Sequence, residues 1–414
     1  MTADPSPAAP AAEPEPSNSV PSASNDIVRF DQPPEPVASV IVLAWRLTTE
    51  LMDCLRSLRE SKDAPPFEVQ LVLNGASPET RAIVAAQVRG AHVIDLEANV
   101  GFGGGCNVAA LNSRGKYIVL LNDDTVVDRG WLATIVAAAD AAPKRVGAIA
   151  SVLLNPDGTV QEAGSRVLSS AGTVQFGKGM PMDAAVSAGM LSRRPIDYGS
   201  GAALLIRRAA FEAVGGFDPI YEPAYYEDVD LCFRLKLAGW STMLEPKAWV
   251  THASGGSTSR DQRFRDFAAS RSGTLFIARW GAVLAQAPEA DAPLKQLCDP
   301  GLAGASPLPG SPTEISDPTP TTRTALTIAR NYQEWLSRQL DIAEEGVIIE
   351  RHLRGTDVDR IRDLTQEVQY LRSWMAALEK RGLYGIMRWR VGLSLRRRRS
   401  RRTVGDLTSG DQAS

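Results

Sequence analysis

The sequence is poor in cysteine and has no long apolar run. Its four cysteines, Cys54, Cys106, Cys232 and Cys298, are far apart and form no CxxC pair, which argues against a zinc site or a disulfide framework. They are typical of reduced core residues in a cytoplasmic protein. No apolar stretch reaches the roughly 18 residues of a membrane span, and the N-terminus lacks a basic region followed by an apolar one. We therefore expect neither a membrane-spanning nor a secreted protein.

A strong net charge is also missing, because 45 Lys and Arg residues nearly balance 48 Asp and Glu residues and leave a charge of −3. The composition therefore does not predict a nucleic-acid-binding protein. Residues 396–402, in contrast, are almost entirely Arg, which indicates a local partner for that end. With 414 residues, 44% of them hydrophobic, the chain can bury at least one large core.

Composition divides the chain into five predicted segments. Residues 1–37 are rich in Pro, Ala, Ser and Glu, which predicts a disordered arm. Residues 38–285 alternate short β-branched runs with helical patterns, so we predict an α/β domain with a mostly parallel sheet and helices on both faces. A Pro-rich linker over 286–322, a helical region over 323–395 and a basic, disordered tail over 396–414 are predicted to follow.

Turn residues and apolar runs predict particular elements in the second half of the α/β domain. IASVLLNPDGTVQEAG predicts a hairpin with an NPDG turn, and YGSGAALLIRR predicts a buried strand that leads into a helix over 208–214. EDVDLCFRLKLAGW predicts a helix that begins with acids and ends at Gly239. TMLEP predicts a closing strand.

Polar residues end the apolar run of LLNDDT, residues 120–125. Ligands of open α/β sheets bind outside the carboxyl ends of strands, which is where Asn122, Asp123 and Asp124 are predicted to lie. Oxygen ligands in a short turn suit Mg²⁺ or Mn²⁺ bridged to a substrate's phosphates. The alternative is an Asx-turn that caps a following helix over 128–139.

NVGFGGGCN, residues 99–107, is a glycine-rich turn between a predicted strand and a predicted helix. Its backbone N–H groups could approach a phosphate closely. The stretch lacks the Lys-Ser/Thr ending of a P-loop and fails GxGxxG, since Cys106 stands where the third Gly would be. The alternative is a helix that packs tightly on the sheet through its small residues.

YEDVDL, residues 226–231, places three carboxylates at the start of a helix, after the aromatic-rich segment GGFDPIYEPAYY. The helix dipole alone could account for them, but one carboxylate could also act as a base in a pocket shaped by that segment. His252 lies between a predicted strand and a Gly/Ser-rich loop and is a candidate metal ligand, although a lone His is more often structural.

Six apolar residues near the C-terminus alternate spacings of three and four, the pattern of a coiled-coil seam: Ile361, Leu364, Val368, Leu371, Met375 and Leu378. This seam permits a homodimer through the C-terminal helix, or an amphipathic helix packed on its own chain. The following LYGIMRWRVGLSLRRRRSRR interleaves large apolar residues with Arg. That pattern favours an anionic membrane surface over a solvated tail or a nucleic-acid contact.

Taken in order, these stretches resemble glycosyltransferase family 2, and within it the bacterial rhamnosyltransferase-like enzymes. The match runs from about residue 39 to residue 256 and includes SVIVL, CLRSL, NVGFGGGCN, LLNDDT, GSGAALLIRRAAFEAVGGFD, YEDVDLCFRLKLAGW and WVTHASGGS. The resemblance implies a GT-A fold and an inverting, metal-dependent transfer of a sugar from a nucleotide sugar.

The resemblance also implies a metal site. Asn122-Asp123-Asp124 stands where the family has its DxD-type motif, with Asn in place of the first Asp. Asp124 is then expected to be the principal ligand of Mg²⁺ or Mn²⁺, and Asn122 or Asp123 to contribute through the nucleotide or water. His252 matches the family's late metal ligand.

Catalytic and nucleotide-binding roles follow from the same resemblance and from the glycine-rich turn. Asp228 matches the base that removes the acceptor's hydroxyl proton, and Glu227 is expected to orient the acceptor or that base. The residues expected to bind the nucleotide are Asn74, Asn99, Gly101, Gly103, Asn107, Asn122 and Asp123.

Two positions depart from the family. Ala44-Trp45-Arg46 replaces a Thr-Tyr-Asn-like turn, and Leu73-Asn74-Gly75-Ala76 replaces Asp-Asn-Gly-Ser. The missing Asp is expected to touch the nucleotide base, so Leu73 leaves dTDP-, UDP- and GDP-sugar donors open. Asn74 and Arg46 are candidates to replace that contact.

We therefore predict a cytoplasmic glycosyltransferase, peripheral on the inner face of the cell membrane, that elongates a cell-surface polysaccharide on a lipid-linked saccharide acceptor, with rhamnose as a candidate sugar. Acceptor specificity is expected to reside in residues 165–198 and 217–225. The alternative is an inactive GT-A homologue that serves as a nucleotide-binding or scaffold protein. A nucleotidyltransferase is disfavoured, because no Gly-rich loop with Lys or Arg follows the first strand.

Overall fold

The computed structural model describes residues 27–45, 48–253, 262–292, 322–349 and 355–381. Most of these residues form a central β-sheet with helices on both faces, and two long helices follow toward the C-terminus. The predicted α/β class is therefore confirmed. No helix in the described ranges is long and apolar enough to span a membrane.

The strands are numbered here in chain order, and ten of those in the described residues form the central sheet. They are β1 (Val28–Arg29), β2 (Ala38–Ala44), β3 (Phe67–Asn74), β4 (Val88–Arg89), β5 (His92–Leu96), β6 (Tyr117–Asn122), β7 (Thr125–Val127), β8 (Val146–Leu154), β9 (Val160–Glu162), β10 (Ser165–Val167), β11 (Thr173–Gln175), β12 (Pro195–Ile196), β13 (Ala203–Arg207) and β14 (Ser241–His252).

The helices are numbered in the same way. They are α1 (Thr48–Arg59), α2 (Pro78–Gln87), α3 (Phe102–Asn112), α4 (Trp131–Ala141), α5 (Met182–Ser187), α6 (Arg208–Ala213), α7 (Glu227–Leu237), α8 (Gln262–Leu284), α9 (Thr322–Ile349) and α10 (Gly355–Arg381).

One half of the sheet is parallel and places its strands in the order β5, β3, β2 and β6. Both faces of such strands are covered, which is why their sequences are nearly continuous apolar runs. Along β2, Val40 and Val42 pack into one core cluster, whereas Ile41 packs into the cluster on the opposite face. The two-residue period of a strand thus divides the core into two layers.

The other half of the sheet is mixed. β13 runs antiparallel between β6 and β8, and β14 pairs with β8 in parallel. β8 and β9 form an antiparallel hairpin in which Leu153 pairs with Glu162. The structure confirms the predicted NPDG hairpin, the strand before the helix at 208, the helix that begins with YEDVDL, and the closing strand.

The C-terminal helices α9 and α10 pack against each other, and α9 packs against α8. Arg263 of α8 also forms an ion pair with Glu367 of α10 at 3.2 Å. The apolar cluster that the three helices share joins Phe267 of α8, Tyr332 and Leu336 of α9, and Leu364 and Val368 of α10. The last two are seam residues of the predicted coil. Of the two alternatives for that seam, the described residues therefore show the amphipathic helix packed on its own chain.

The fold begins earlier than the predicted boundary at residue 38. Val28 is fully buried, Phe30 is nearly so, and β1 pairs in parallel with β4. Only two apolar residues alternate in this stretch, and their partner strand lies about sixty residues further along the chain. The sequence pattern was therefore too short to distinguish residues 27–37 from the arm before them.

The C-terminal boundary of the α/β domain also differs from the prediction. Residues 285–292 still contact the domain, since the backbone N–H of Ser169 donates to the backbone oxygen of Pro288 at 2.9 Å. The remaining predictions lie outside the described residues. They concern residues 1–26, the linker over 293–321, Arg46, the end of the helical region with its apolar and basic segment over 382–395, and the basic tail over 396–414.

Candidate active site

Five strands bring their carboxyl ends to one edge of the sheet. β2, β3, β6, β8 and β14 run in the same direction, because β13 is antiparallel to both β6 and β8. A cavity of about 600 Å³ opens at this edge, where ligands of open α/β sheets bind. The predicted site residues that line it are Asn74, Asn99, Asn122, Asp123, Asp124, Glu227, Asp228 and His252.

Asp124 and His252 meet in the cavity wall. Nε2 of His252 lies 3.1 Å from Oδ1 of Asp124 and 3.5 Å from Nδ2 of Asn122. The sheet fixes this contact. β7 begins directly after Asp124 and pairs with β14, so that His252 lies opposite Thr125. A carboxylate and an imidazole nitrogen are both ligands of first-row divalent metals.

Gln161 of β9 fixes the orientation of the His252 ring. Nε2 of Gln161 donates to the backbone oxygen of His252 and to Oδ1 of Asn155, both at 3.0 Å. Oε1 of Gln161 therefore faces Nδ1 of His252, 2.7 Å away, and accepts its hydrogen. In the neutral ring this leaves the lone pair on Nε2, directed toward Asp124, which is the form that binds a metal.

Asp123 is buried, although it lies in a turn. The backbone N–H of Trp45 donates to its carboxylate, and Oδ2 is buried without a hydrogen-bond partner among the described residues. Burial, and then the charge of Asp124, raise the pKa of Asp123 well above its ordinary value. The unbonded oxygen is an acceptor that a ligand hydroxyl or a water can satisfy.

The donor set fits a metal whose coordination a substrate completes. In the described part of the chain, no group of three or more His, Cys, Asp and Glu side chains is placed to hold a metal ion. Asp124 and His252 supply two donors, with the amide of Asn122 beside them. Mg²⁺ and Mn²⁺ are commonly held by one or two carboxylates together with substrate phosphates. This edge therefore suits a cation shared with a diphosphate.

Asp228 lines the same cavity from the first turn of α7. Its Oδ2 accepts from the backbone N–H of Gly201 at 3.1 Å and its Oδ1 from that of Val229 at 2.8 Å. Removal from water raises the pKa of Asp228, against the effect of these two donors. A carboxylate with a raised pKa is a stronger base and is suited to accept a hydroxyl proton.

The chain enters α7 through an unusual backbone. Tyr225 and Tyr226 have φ values of 72° and 68°, in the left-handed region that residues other than glycine rarely adopt. Such conformations cluster at functional sites, where the surrounding fold holds them. Here they turn the chain so that Glu227 and Asp228 both line the cavity. Burial, and then the charge of Asp228, raise the pKa of Glu227 well above its ordinary value.

Asn74 holds the loop that carries Asn99. Nδ2 of Asn74 donates to the backbone oxygen of Gly101 at 2.9 Å and to Oδ1 of Asn99 at 3.2 Å, and its Oδ1 accepts from the N–H of Val100 at 3.0 Å. Both asparagines line the cavity. Leu73, in contrast, is only 3% exposed and belongs to the core, so it takes no part in the site.

The glycine-rich turn packs against the loop around Glu222. The backbone N–H of Gly104, in the first turn of α3, donates to Oε1 of Glu222 at 2.6 Å. A Cβ on Gly101 would overlap Oε2 of Glu222, and a Cβ on Gly103 would lie 2.8 Å from Cβ of Phe217. A carboxylate of the protein itself thus occupies the helix N-terminus at which the sequence analysis predicted a phosphate.

Asn107 serves the same packing. Its Nδ2 donates to the backbone oxygen of Phe217 and its Oδ1 accepts from the N–H of Phe217, both at 2.9 Å. Asn107, Gly101 and Gly103 are not among the described residues that line the cavity. The contacts described for these three residues are those of a helix packed closely on its neighbours, and their contact with a nucleotide stays a prediction.

Several residues of the site carried no readable signal in the sequence. Gln161 and Glu162 stand on the second strand of the predicted hairpin, where two polar residues side by side in a short strand were the one available sign. Phe264 and Arg265 line the cavity from the start of α8, a helix that the sequence analysis did not assign. The ring of Phe264 lies 6.2 Å from that of Trp45.

The sequence model described as glycosyl transferase family 2 matches residues 39–215. The chain is 31% identical over 261 residues to the N-acetylglucosaminyl-diphospho-decaprenol L-rhamnosyltransferase of Mycobacterium tuberculosis (strain ATCC 25618 / H37Rv), and the match covers 58% of this chain and 84% of that protein. The chain therefore belongs to glycosyltransferase family 2. It is a glycosyltransferase with the GT-A fold, as the sequence analysis predicted.

Two further matches are more distant. The O-antigen biosynthesis protein RfbC of Myxococcus xanthus is 30% identical over 250 residues, which cover 56% of this chain and 18% of that protein. The solved structure of the mannosyltransferase PcManGT from Pyrobaculum calidifontis, in complex with GDP-Man and Mn²⁺, superposes with a TM-score of 0.44 at 14% identity. That superposition covers 84% of this chain and 86% of the other.

Proposed function

We propose that this protein is an inverting, metal-dependent glycosyltransferase that adds a sugar, with L-rhamnose as first candidate, to a lipid-linked saccharide in cell-surface polysaccharide synthesis. The observation that carries the proposal is one cavity lined both by Asp228 and by the Asp124–His252 pair. The names of the mycobacterial and myxobacterial relatives support the sugar, the lipid-linked acceptor and the polysaccharide.

The proposed reaction assigns a role to each of these side chains. Asp228 accepts the proton of the acceptor hydroxyl while that oxygen forms a bond to the anomeric carbon of the donor sugar. The bond between the anomeric carbon and the diphosphate oxygen breaks on the opposite side, so the anomeric configuration inverts. Asp124 and His252, with Asn122 beside them, would hold Mg²⁺ or Mn²⁺, and the bound ion would supply positive charge near the departing diphosphate.

Donor recognition is proposed to begin at the carboxyl ends of β3 and β6. Asn74 and Asn99 line the cavity there, and the unbonded Oδ2 of Asp123 provides a further acceptor. Leu73 is buried in the core, so the nucleotide base is recognised by other groups. The donors to be compared are therefore dTDP-, UDP- and GDP-sugars.

The test is donor binding by calorimetry on purified wild type, Asp124→Ala and Asp228→Asn, with and without Mn²⁺ or Mg²⁺. We expect one donor to bind in a metal-dependent manner. Asp124→Ala is expected to lose that binding, whereas Asp228→Asn is expected to keep it and to lose turnover. If no donor of the panel binds with either metal, the proposed function is wrong.

The proposal includes attachment to an anionic membrane surface through the Arg-rich C-terminal segment. Removal of residues 382–414 leaves α10 intact and takes away this segment. We expect the shortened protein to stop sedimenting with phosphatidylglycerol vesicles and to keep transfer to a water-soluble acceptor. A shortened protein that sediments like the wild type contradicts the membrane part alone.

A further inference from the structure

A second carboxylate lies beside Asp228, and the reaction above does not use it. Glu162, at the end of β9, is 6% exposed and lines the cavity. Two consecutive backbone N–H groups hold the two acids, because Ser200 donates to Oε1 of Glu162 at 3.2 Å and Gly201 donates to Oδ2 of Asp228 at 3.1 Å. The segment before β13 therefore sets the two carboxyl groups side by side.

The protein does not satisfy Glu162 in the way that a structural carboxylate is satisfied. A carboxylate can accept about four hydrogen bonds, and within the described residues the Ser200 N–H supplies one. No Lys or Arg in the described ranges forms an ion pair with Glu162. Because an incompletely paired buried carboxylate is unfavourable, Glu162 is suited to accept further hydrogen bonds from a water or a ligand group in the cavity that it lines.

The neighbours of Glu162 are suited to a sugar. Tyr198, Thr173 and Gln175 line the same wall of the cavity and offer hydroxyl and amide groups. Burial, and then the charges of Glu162 and Asp228, raise the pKa of Tyr198, so its phenol stays protonated and can donate. The Asp124–His252 pair approaches this cavity from the ends of β6 and β14, whereas these residues come from β9, β11 and the segment before β13.

We propose that Glu162 and Tyr198 bind a hydroxyl group of the acceptor sugar adjacent to the hydroxyl that Asp228 deprotonates. Adjacent hydroxyls on a sugar ring are close enough for two neighbouring carboxylates to bind one each. Glu162 accepts from the adjacent hydroxyl, Tyr198 donates to its oxygen, and the attacking oxygen is directed to Asp228. The inference rests on the proposed function and adds the residues that select the acceptor.

The experiment compares wild type, Glu162→Gln, Tyr198→Phe and the control Glu212→Gln. Glu212 is an exposed carboxylate on α6, with its side chain 65% exposed. The donor is dTDP-L-rhamnose, and the acceptor is N-acetylglucosaminyl-diphospho-decane, offered intact and as analogues that each lack one ring hydroxyl. Transfer is measured as kcat and KM for the acceptor, and donor hydrolysis is measured separately without acceptor.

We expect Glu162→Gln to lower kcat/KM for the acceptor about 10- to 100-fold, mainly through KM, because it removes a hydrogen bond to a charged group. Donor hydrolysis is expected to change by less than about twofold. For the wild type, one deoxy analogue should have a much lower kcat/KM than the intact acceptor. For Glu162→Gln the difference in kcat/KM between that analogue and the intact acceptor should be far smaller, since the variant no longer binds the missing hydroxyl. Tyr198→Phe should show the same pattern more weakly, and Glu212→Gln none of it.

Three results overturn the inference. An unchanged acceptor KM in Glu162→Gln shows that the carboxylate does not contact the acceptor. Equal losses in transfer and donor hydrolysis show that Glu162 serves the donor or the fold. A wild type that binds the donor but transfers nothing to this acceptor refutes the acceptor class. A wild type that binds no nucleotide sugar refutes the proposed function itself, so the two failures are distinguishable.

Discussion

Glu162→Gln is expected to stabilise the ligand-free protein at pH 8 and to stabilise it much less at pH 5. Burial, and then the charge of Asp228, raise the pKa of Glu162 from about 4.5 to about 7, against opposing effects of the Ser200 N–H, Ser165 and Lys178. In the unfolded chain the same carboxyl ionises near its ordinary value. A glutamine does not titrate and keeps an acceptor for the Ser200 N–H.

The sign and the magnitude follow from this difference. Well below pH 4.5 the carboxyl is protonated in both states, so its raised pKa has no cost. As the pH rises toward 7 the unfolded chain ionises first, and the stability of the wild type falls. A pKa difference of about 2.5 units corresponds to about 3 kcal/mol above pH 7. For a domain of this size that is roughly 6 to 12 °C in Tm.

The assay is thermal unfolding of wild type, Glu162→Gln and Glu212→Gln at pH 5 and pH 8, without nucleotide or metal. Taking the difference between proteins at each pH removes the titration of the groups that do not interact with residue 162, which leaves Glu162 and its neighbour Asp228. Equal Tm values for wild type and Glu162→Gln at pH 8 would refute the reasoning, because they would mean that the buried carboxylate is fully compensated by the protein. If the Tm of Glu162→Gln exceeded that of the wild type by the same amount at both pH values, the effect would come from packing and not from ionisation.

Three further variants test the site and its supports. Gln161→Met removes the acceptor for Nδ1–H of His252, and we expect Mn²⁺ to bind about 10- to 100-fold more weakly in a spin-resonance titration, with Gln161→Glu close to wild type. Gly101→Ala combines a φ of 82° with a clash on Glu222, and should lose about 2 to 4 kcal/mol in urea unfolding. Tyr332→Ala should speed amide exchange at the start of α8 and lower acceptor kcat/KM about tenfold.

Each of these variants has an outcome that contradicts its argument. Unchanged Mn²⁺ affinity in Gln161→Met would mean that the ring of His252 does not bind the metal. A Gly101→Ala protein as stable as the wild type would show that the Glu222 loop is not held against α3 as described. An unchanged rate of amide exchange in Tyr332→Ala would mean that the C-terminal helices do not stabilise the start of α8, despite the contact of Tyr332 with Phe264.

The sequence predicted the parts of the site that depend on strand direction. Asn122, Asp123 and Asp124 follow a buried strand, and His252 ends another, so a parallel arrangement places them at one edge. The start of α7 was predicted from its acids alone. These features are local in sequence, because an apolar run of five residues and the polar residues after it are enough to position them.

The rest of the site depends on contacts that no local pattern contains. Gln161 holds a histidine 91 residues away, and Glu222 fills the N-terminus of a helix 118 residues before it. The sequence of the glycine-rich turn therefore resembled a phosphate site, although the group that the turn contacts here is the carboxylate of Glu222. The C-terminal seam was predicted correctly as an apolar stripe, but a spacing of three and four does not reveal which surface covers it.

The central claim is that Asp228 serves as the base of an inverting sugar transfer. The most direct measurement is the NMR spectrum of the product formed from dTDP-L-rhamnose and N-acetylglucosaminyl-diphospho-decane with Mn²⁺, recorded for wild type and Asp228→Asn. The account predicts a glycosidic bond of inverted anomeric configuration, formed about 10³-fold more slowly by the variant. A product of retained configuration, or equal rates for the two proteins, would contradict it.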